Sequence, residues 1–316
     1  MLGIVEQPTS QNVLLIGATG QVGKSLLPFL QTKYQVAVLM RPKTFQENPD
    51  KVKALEDAKV VVRQGDLTDE ESLVAALKGI TVVVSCAPIP GISLQFTLIK
   101  AMKRVGHIKR FVPSDFGSDV RIEPDFVPSF REKLELHQAL FESGIPYTII
   151  DNGPWMVFGA GKFGNPLNPD FSLSPQEIRF MGSGDSPIIT QTLEDNSRLT
   201  AEIVADDRTI NKRVMVDVNV TSQKQLVESW VRVGGPRPTI GEPITEEEVM
   251  KLIEQATDPR VNFGLRIMRN VHFHDGLKRT DDYLSTTELY PEVTKQCLTV
   301  EQYYAKILSD LRKQSA

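Results

Sequence analysis

The chain has 316 residues, 41% of them apolar, and a formal net charge of −4 with acidic and basic side chains interspersed. That supplies material for one large or two modest domains, and it excludes a broad basic footprint for nucleic acid or an anionic membrane. Two distant cysteines, Cys86 and Cys297, without a CxxC or His-rich setting argue against a zinc or disulfide framework and predict reduced thiols. With no apolar run near the ~18–20 residues of a membrane span and no charged signal-peptide n-region, the expectation is a cytoplasmic protein with no membrane partner.

The first predicted strand, Asn12 to Ile16, breaks into three glycines spaced GxxGxxG, Gly17, Gly20 and Gly23, and resumes as a helix from Lys24 to Leu30. Such a turn suits a dinucleotide: Gly17 permits the tight bend, Gly20 lets backbone N–H groups approach a pyrophosphate, and Gly23 allows helix–sheet packing. Thr19, Gln21 and Val22 complete the phosphate-facing segment. The second strand, Gln35 to Met40, is followed by Arg41-Pro42-Lys43. NAD sites usually place a carboxylate there for the ribose 2′-OH, whereas Arg41 and Lys43 suit a 2′-phosphate and so predict NADPH, the alternative being solvated loop charges.

Further strands are predicted at Lys59 to Gln64, Thr81 to Ser85, Arg110 to Pro113 and Tyr147 to Asp151. Helices are predicted between them at Lys51 to Asp57, Glu70 to Leu77, Leu94 to Val105 and Phe130 to Ser143. Mostly apolar strands alternating with helices predict an α/β fold, a Rossmann-type doubly wound parallel sheet with a smaller α+β substrate domain. The boundary is placed near residue 155, giving an NADPH-binding domain over 1–155 and a substrate-binding domain over 156–316, with 209–233 returning to the first as a strand and helix. In the second domain a helix at Thr245 to Ala256, a β-like stretch at Val271 to His274 and a helix at Val300 to Lys313 are expected.

In such a sheet ligands lie beyond the carboxyl ends of the strands. That edge gathers Gly17 to Gly23, Arg41, Asp66, Leu67, Ser85, Ala87, Pro88, Ser114 and Asn152 as cofactor-binding candidates. Phe116, Trp155, Met156, Phe158 and Phe163 are candidates for an aromatic substrate wall, or equally for core. His272 and His274 would share a strand face, but no third ligand stands at a recognisable spacing, so no metal is expected. Typical short-chain dehydrogenases carry TyrxxxLys on one helix. Here Lys133 is preceded four residues earlier by Ser129, so the usual tyrosine acid is missing.

These features, with GATGQVG (Gly17 to Gly23), GDL (Gly65 to Leu67), IKRFVPSDFGSDV (Ile108 to Val120), GIPYT (Gly144 to Thr148), DDRTINK (Asp206 to Lys212) and ELYPEVTKQCLTVEQYY (Glu288 to Tyr304), run nearly end to end. In them the chain resembles the atypical short-chain reductases of the isoflavone reductase-like family. Relatives of that family include phenylcoumaran benzylic ether, pinoresinol-lariciresinol and leucoanthocyanidin reductases and the NmrA-like regulators. The resemblance implies that Lys133, eleven residues before the glycine of GIPYT, is the catalytic or ribose-binding lysine; from its own sequence setting alone it reads instead as a solvated helix charge. His137, one turn later, is either a relay partner or a surface residue. Two departures stand out. Ser118 replaces the histidine that leucoanthocyanidin reductases place after FG, and Asp151-Asn152-Gly153-Pro154-Trp155-Met156 is bulkier than in plant reductases. The expected function is NADPH-dependent hydride transfer to a small aromatic or conjugated molecule by a monomer or homodimer; the alternative is a non-catalytic, redox-sensing NADP(H)-binding regulator of the NmrA type.

Overall fold

The computed structural model describes residues 12–315; the expected lack of a signal-peptide n-region concerns residues outside these. The chain runs through β1 (Asn12–Ile16), α1 (Gln21–Gln31), β2 (Gln35–Met40), α2 (Pro42–Glu47), α3 (Pro49–Asp57), β3 (Val61–Gln64), α4 (Glu70–Ala76), β4 (Val82–Ser85), α5 (Gln95–Val105), β5 (Arg110–Val112), α6 (Pro128–Ser143) and β6 (Thr148–Asp151). It continues through α7 (Met156–Gly159), β7 (Glu177–Ile178), β8 (Ile188–Thr190), α8 (Leu193–Ala205), β9 (Lys212–Met215), β10 (Asn219–Thr221), α9 (Gln223–Arg232), β11 (Thr239–Ile240), α10 (Glu246–Gln255), α11 (Pro259–Phe273), β12 (Tyr283–Ser285), α12 (Thr286–Leu289), α13 (Pro291–Thr294) and α14 (Val300–Gln314).

Two compact units result. The first comprises the described part of Met1–Asp115 with Glu132–Ile150 and Ser197–Val214; the second comprises Phe116–Arg131, Asp151–Asn196 and the described part of Met215–Ala316. In the first, a parallel sheet has the order β3-β2-β1-β4-β5, the doubly wound pattern that puts its switch point between β1 and β4. Its inner strands β1, β2 and β4 are mostly apolar because both faces are covered, whereas the edge strand β3 is largely exposed; Leu14, Ile16, Ala37, Leu39 and Val83 join Leu73, Leu98, Met102 and Leu136 in one core. Local signals set the helix ends. Asp69 accepts from the N–H groups of Glu71 and Ser72 to start α4, and Gly106, at φ 69°, ends α5 in the left-handed conformation.

The return of 197–214 to this unit has a specific cause. The buried Arg110 guanidinium of β5 donates to the carbonyls of Ile203, Val204 and Asp206 at 2.6–2.9 Å, satisfying the C-terminal end of α8, and Tyr34 donates to the Val204 carbonyl at 2.8 Å. Asn211 N–H then donates to Tyr147 at 2.6 Å, and β9 lies beside β6. The helix expected to return as well, α9, instead lies in the second unit, where Leu226, Val227 and Trp230 join its core.

That core is aromatic. Phe163, Phe171, Trp230 and Tyr304 pack with ring centroids 4.8–6.2 Å apart, and the Tyr304 hydroxyl donates to the Ala160 carbonyl at 2.7 Å. The β-like reading of Val271 to His274 is corrected. These residues form the end of α11, started by the Asp258 side-chain cap and Pro259, and its Leu265 and Met268 face Val249 and Ile253 of α10 in a satellite core.

Candidate functional site

The glycine turn is sterically obligatory at two of its three positions. Gly17 has φ +77°, and a Cβ there would stand 2.5 Å from the Cys86 carbonyl oxygen; one at Gly23 would stand 2.2 Å from the Gly17 oxygen. A Cβ at Gly20 meets only the Gly17 oxygen, at 3.2 Å, so the fold itself tolerates more there. Gly20 is the N-cap of α1 and supplies no side-chain cap, and the first turn holds no acidic residue. Thr19, Gly20 and Gln21 are exposed and Val22 half-buried. Uncapped N–H groups at an exposed helix start attract a phosphate anion, so the residues present fit the pyrophosphate of a dinucleotide.

At the next strand end Arg41 is exposed as the N-cap of α2, while Lys43 pairs with Glu47 at 3.4 Å. Asp66 Oδ1 accepts from the Thr68 N–H and hydroxyl; these bonds first, and Arg41 to a lesser degree, hold the carboxyl below its usual range against the opposing effect of burial. Leu67 packs against the sheet core. Beyond β4, the fully buried Ser85 accepts from Ala87 N–H at 3.4 Å, and the Ala87 carbonyl accepts from the Ser114 hydroxyl at 2.7 Å. Ser114 N–H donates to Gln95 Oε1 at 3.1 Å. The buried Gln95, which ties the loops after β4 and β5 together, was not visible as a site residue, because one glutamine in an apolar helix carries no motif. Pro88 is exposed at the same loop.

Lys133 is not a solvated helix charge. It is only 8% exposed, and its ammonium donates to the Asp115 carbonyl at 2.6 Å. His137, one turn later and 1% exposed, faces the Asp115 carboxylate with Nε2 to Oδ2 at 2.9 Å, and Arg213 donates to its Nδ1 at 3.2 Å. Burial alone would raise the Asp115 carboxyl, but His137, Lys133 and Arg213 outweigh it and hold the group below its usual value, hence ionised. Sequence reasoning missed Asp115 and Arg213 as members of this cluster. Ser129 lies buried in the first turn of α6.

In the second unit, Asn152 is fully buried, and its backbone N–H donates to the Gly117 carbonyl at 3.0 Å. Neither atom of its side-chain amide has a partner among the described residues, while its carbonyl accepts from Gln191 Nε2 at 2.5 Å. Phe116 is half-buried with a left-handed φ of 38°. The aromatic wall divides: Trp155 is half-buried and Phe158 is 61% exposed, their rings 6.2 Å apart, but Met156 and Phe163 lie in the apolar core, the packing alternative. His272 and His274 turn to different partners, the Gly164 carbonyl at 3.1 Å and the Glu246 carboxylate at 2.7 Å. Among the described residues no three His, Cys, Asp or Glu side chains gather as a metal site, and no helix is long and apolar enough to cross a membrane.

Comparison with known proteins turns on how far the match extends: the NmrA-like family model covers residues 9–304. The chain belongs to the NmrA-like family. Among relatives, it is 32% identical over 312 residues to the phenylcoumaran benzylic ether reductase Pyrc5 of Pyrus communis, covering 93% of this chain and 98% of that one. This NmrA-like chain also matches solved structures. It aligns with AtPrR2 with NADP+ and (+)pinoresinol at a TM-score of 0.81 and 25% identity, over 93% of this chain and 98% of that one. With the leucoanthocyanidin reductase–NADPH complex from Vitis vinifera the TM-score is 0.77 and the identity 29%, over 93% and 98%.

Proposed function

We propose that this chain is an NADPH-dependent reductase in which Lys133 assists hydride transfer to a small aromatic or conjugated substrate: a quinone methide, enone, imine or ketone. The oxidoreductase class and the cofactor follow the family, whose members named above are reductases or are solved with NADP+ or NADPH. The observation that carries the finer reading is the buried Lys133 ammonium in the same compact unit as the glycine turn.

Bound NADPH supplies a hydride equivalent to an electron-poor carbon. The uncapped start of α1 holds phosphate, and Arg41 presents a guanidinium suited to a 2′-phosphate. As the substrate gains two electrons and a carbon–hydrogen bond, negative charge grows on its oxygen or nitrogen. Lys133 Nζ offsets that charge or donates a proton to it, directly or through water. The cluster favours this work: it sets the Lys133 ammonium and the Arg213 guanidinium about a single carboxylate, Asp115. The protein acts as a cytoplasmic monomer or homodimer on a small molecule, without nucleic-acid or membrane partners.

NADPH oxidation, followed at the nicotinamide absorbance against the four substrate classes, tests this reading. Lys133→Ala should lower kcat by about 100-fold or more while changing NADPH affinity far less, as for loss of a general acid, and Ser129→Ala should matter much less. Arg41→Ala should narrow the preference for NADPH over NADH by about 1–3 kcal/mol. Cofactor binding without turnover of any class would instead favour the redox-sensing regulator.

A further inference from the structure

Asp115 is gripped by α6 at two points four residues apart. Lys133 donates to its backbone carbonyl at 2.6 Å, and His137 meets its carboxylate at 2.9 Å. The carboxylate has no other hydrogen bond among the described residues, since Oδ1 is buried without a partner. Its orientation, and with it the aim of the carbonyl that holds the lysine, therefore depends on the histidine. The Asp115 N–H donates back to the Pro113 carbonyl at 2.9 Å, so the loop after β5 has little slack with which to compensate.

Arg213 settles which proton the imidazole carries. A guanidinium only donates, so at 3.2 Å from Nδ1 it requires Nδ1 to be a lone-pair acceptor. The ring proton is then on Nε2, where it points at Asp115 Oδ2. The opposite tautomer would set N–H against N–H at Arg213 and a lone pair against the carboxylate. Protonation of both nitrogens would bring a cation onto Arg213. The three residues form one ordered series: Arg213 fixes the tautomer, the tautomer fixes the carboxylate, and Asp115 presents its carbonyl to the lysine.

We infer that His137 and Arg213 are positioning residues for Lys133: they lock the Pro113–Asp115 loop onto α6 so that the ammonium is held at one place. This rests on the proposed reductase role of Lys133. It differs from a proton relay, since His137 Nε2 is directed at the Asp115 carboxylate and Nδ1 is covered by Arg213.

The test uses the full chain, its NADPH-oxidation assay and the nitrogen NMR of histidine. In the wild type, the His137 ring should show a protonated Nε2 and an unprotonated Nδ1, a measurement that needs no substrate. His137→Phe keeps a ring and loses the donor; His137→Gln places an amide N–H near the Nε2 position. His137→Phe should lower kcat by about 10- to 100-fold, the scale of a reacting group displaced by an ångström, with the KM for NADPH within about twofold. His137→Gln should recover most of that loss. A protonated Nδ1, a wild-type kcat in His137→Phe, or a loss in His137→Gln as deep as in His137→Phe would overturn the positioning role. Lys133→Ala is measured in parallel: unchanged turnover there overturns the reductase role of the lysine itself, while the tautomer still judges the Arg213–His137–Asp115 series.

Discussion

In the first unit the side chains around Lys133 partner one another in sequence, Arg213 with His137 and His137 with Asp115, with Lys133 on the Asp115 carbonyl. In the second, Asn152 and Asn196 are fully buried, and neither side-chain amide has a partner among the described residues. A buried polar group left unpaired costs about 1–3 kcal/mol, whereas a paired network rigidifies its members. The cluster around Lys133 is therefore organised before any ligand arrives; the two asparagines retain hydrogen-bonding capacity that bound molecules or ordered water can satisfy. Rigidity in one and open valence in the other are what the following changes probe.

The largest effect should come from the most constrained point of the first unit. In Gly23→Ala the new methyl would lie 2.2 Å from the Gly17 oxygen and 2.8 Å from the Ala18 Cα, both backbone atoms that cannot swing aside. A loss of about 3 kcal/mol or more in denaturant unfolding is expected, the scale of overpacking where the chain cannot relax. Gly20→Ala separates fold from function: its Cβ meets one backbone oxygen at 3.2 Å, so the protein should fold near wild-type stability and lose NADPH affinity. Equal destabilisation by the two would show that the turn is rigid throughout and that Gly20 is not specifically a phosphate approach.

How much of this was legible in the sequence follows from distance along the chain. The strands β1, β2 and β4 and the glycine turn are written in contiguous residues, β1 an apolar run closed by Gly17, and local physics suffices to read them. The cluster around Lys133 is not contiguous: Asp115 precedes His137 by 22 residues, and Arg213 follows it by 76. Separately each looks like a solvated charge; only the fold turns them into one another's partners. Arg110 hid in the same way, a cation within an apolar strand whose role appears only when α8 comes back to it. The error at Val271 to His274 was avoidable, since Asp258-Pro259 is a helix start and four residues of apparent alternation weigh less than a capped helix of 15. For Met156 no local signal existed: an apolar side chain beside Trp155 has the same sequence signature whether it lines a pocket or fills the core.

A smaller effect should separate the two units by pH. Burial lowers His272 from 6.5 to about 4, only partly opposed by its bond to the Gly164 carbonyl. Between these values the unfolded chain takes up a proton that the folded one refuses. Stability is thus intact above about pH 6.5 and falls as pH drops towards 4, by about 3 kcal/mol in total. Asp115 is also lowered, but from 3.8, so its contribution is lost only as pH falls through still lower values. Acid should therefore weaken the second unit first. Both tryptophans, Trp155 and Trp230, belong to that unit, so their fluorescence reports it directly. His272→Gln keeps an N–H for Gly164 and removes the titration; the stability difference between about pH 7 and about pH 4 should shrink by about 2–3 kcal/mol. An unchanged pH dependence would mean that His272 is not what acid attacks.

The smallest effect bears most directly on the unpaired amides. Asn152→Leu replaces a fully buried side chain without partners for its nitrogen and oxygen by an apolar one of similar volume. If the amide stays unsatisfied, removing it should raise the stability of the ligand-free protein by about 1 kcal/mol, because no hydrogen bond is lost and a desolvated polar group disappears. If ordered water already serves the amide, the same change should lower stability by a similar amount. Melting with and without NADPH separates both from a ligand role: an amide reserved for a bound molecule gives a variant that is more stable alone yet gains less stabilisation from NADPH than the wild type does. A variant stabilised alone and equally stabilised by NADPH would leave Asn152 a packing defect, and the contrast between the two units would then rest on Asn196 only. The combination is informative because a single melting shift cannot produce it: raising the ligand-free state and weakening the bound one require that the same two atoms be idle in the first and engaged in the second.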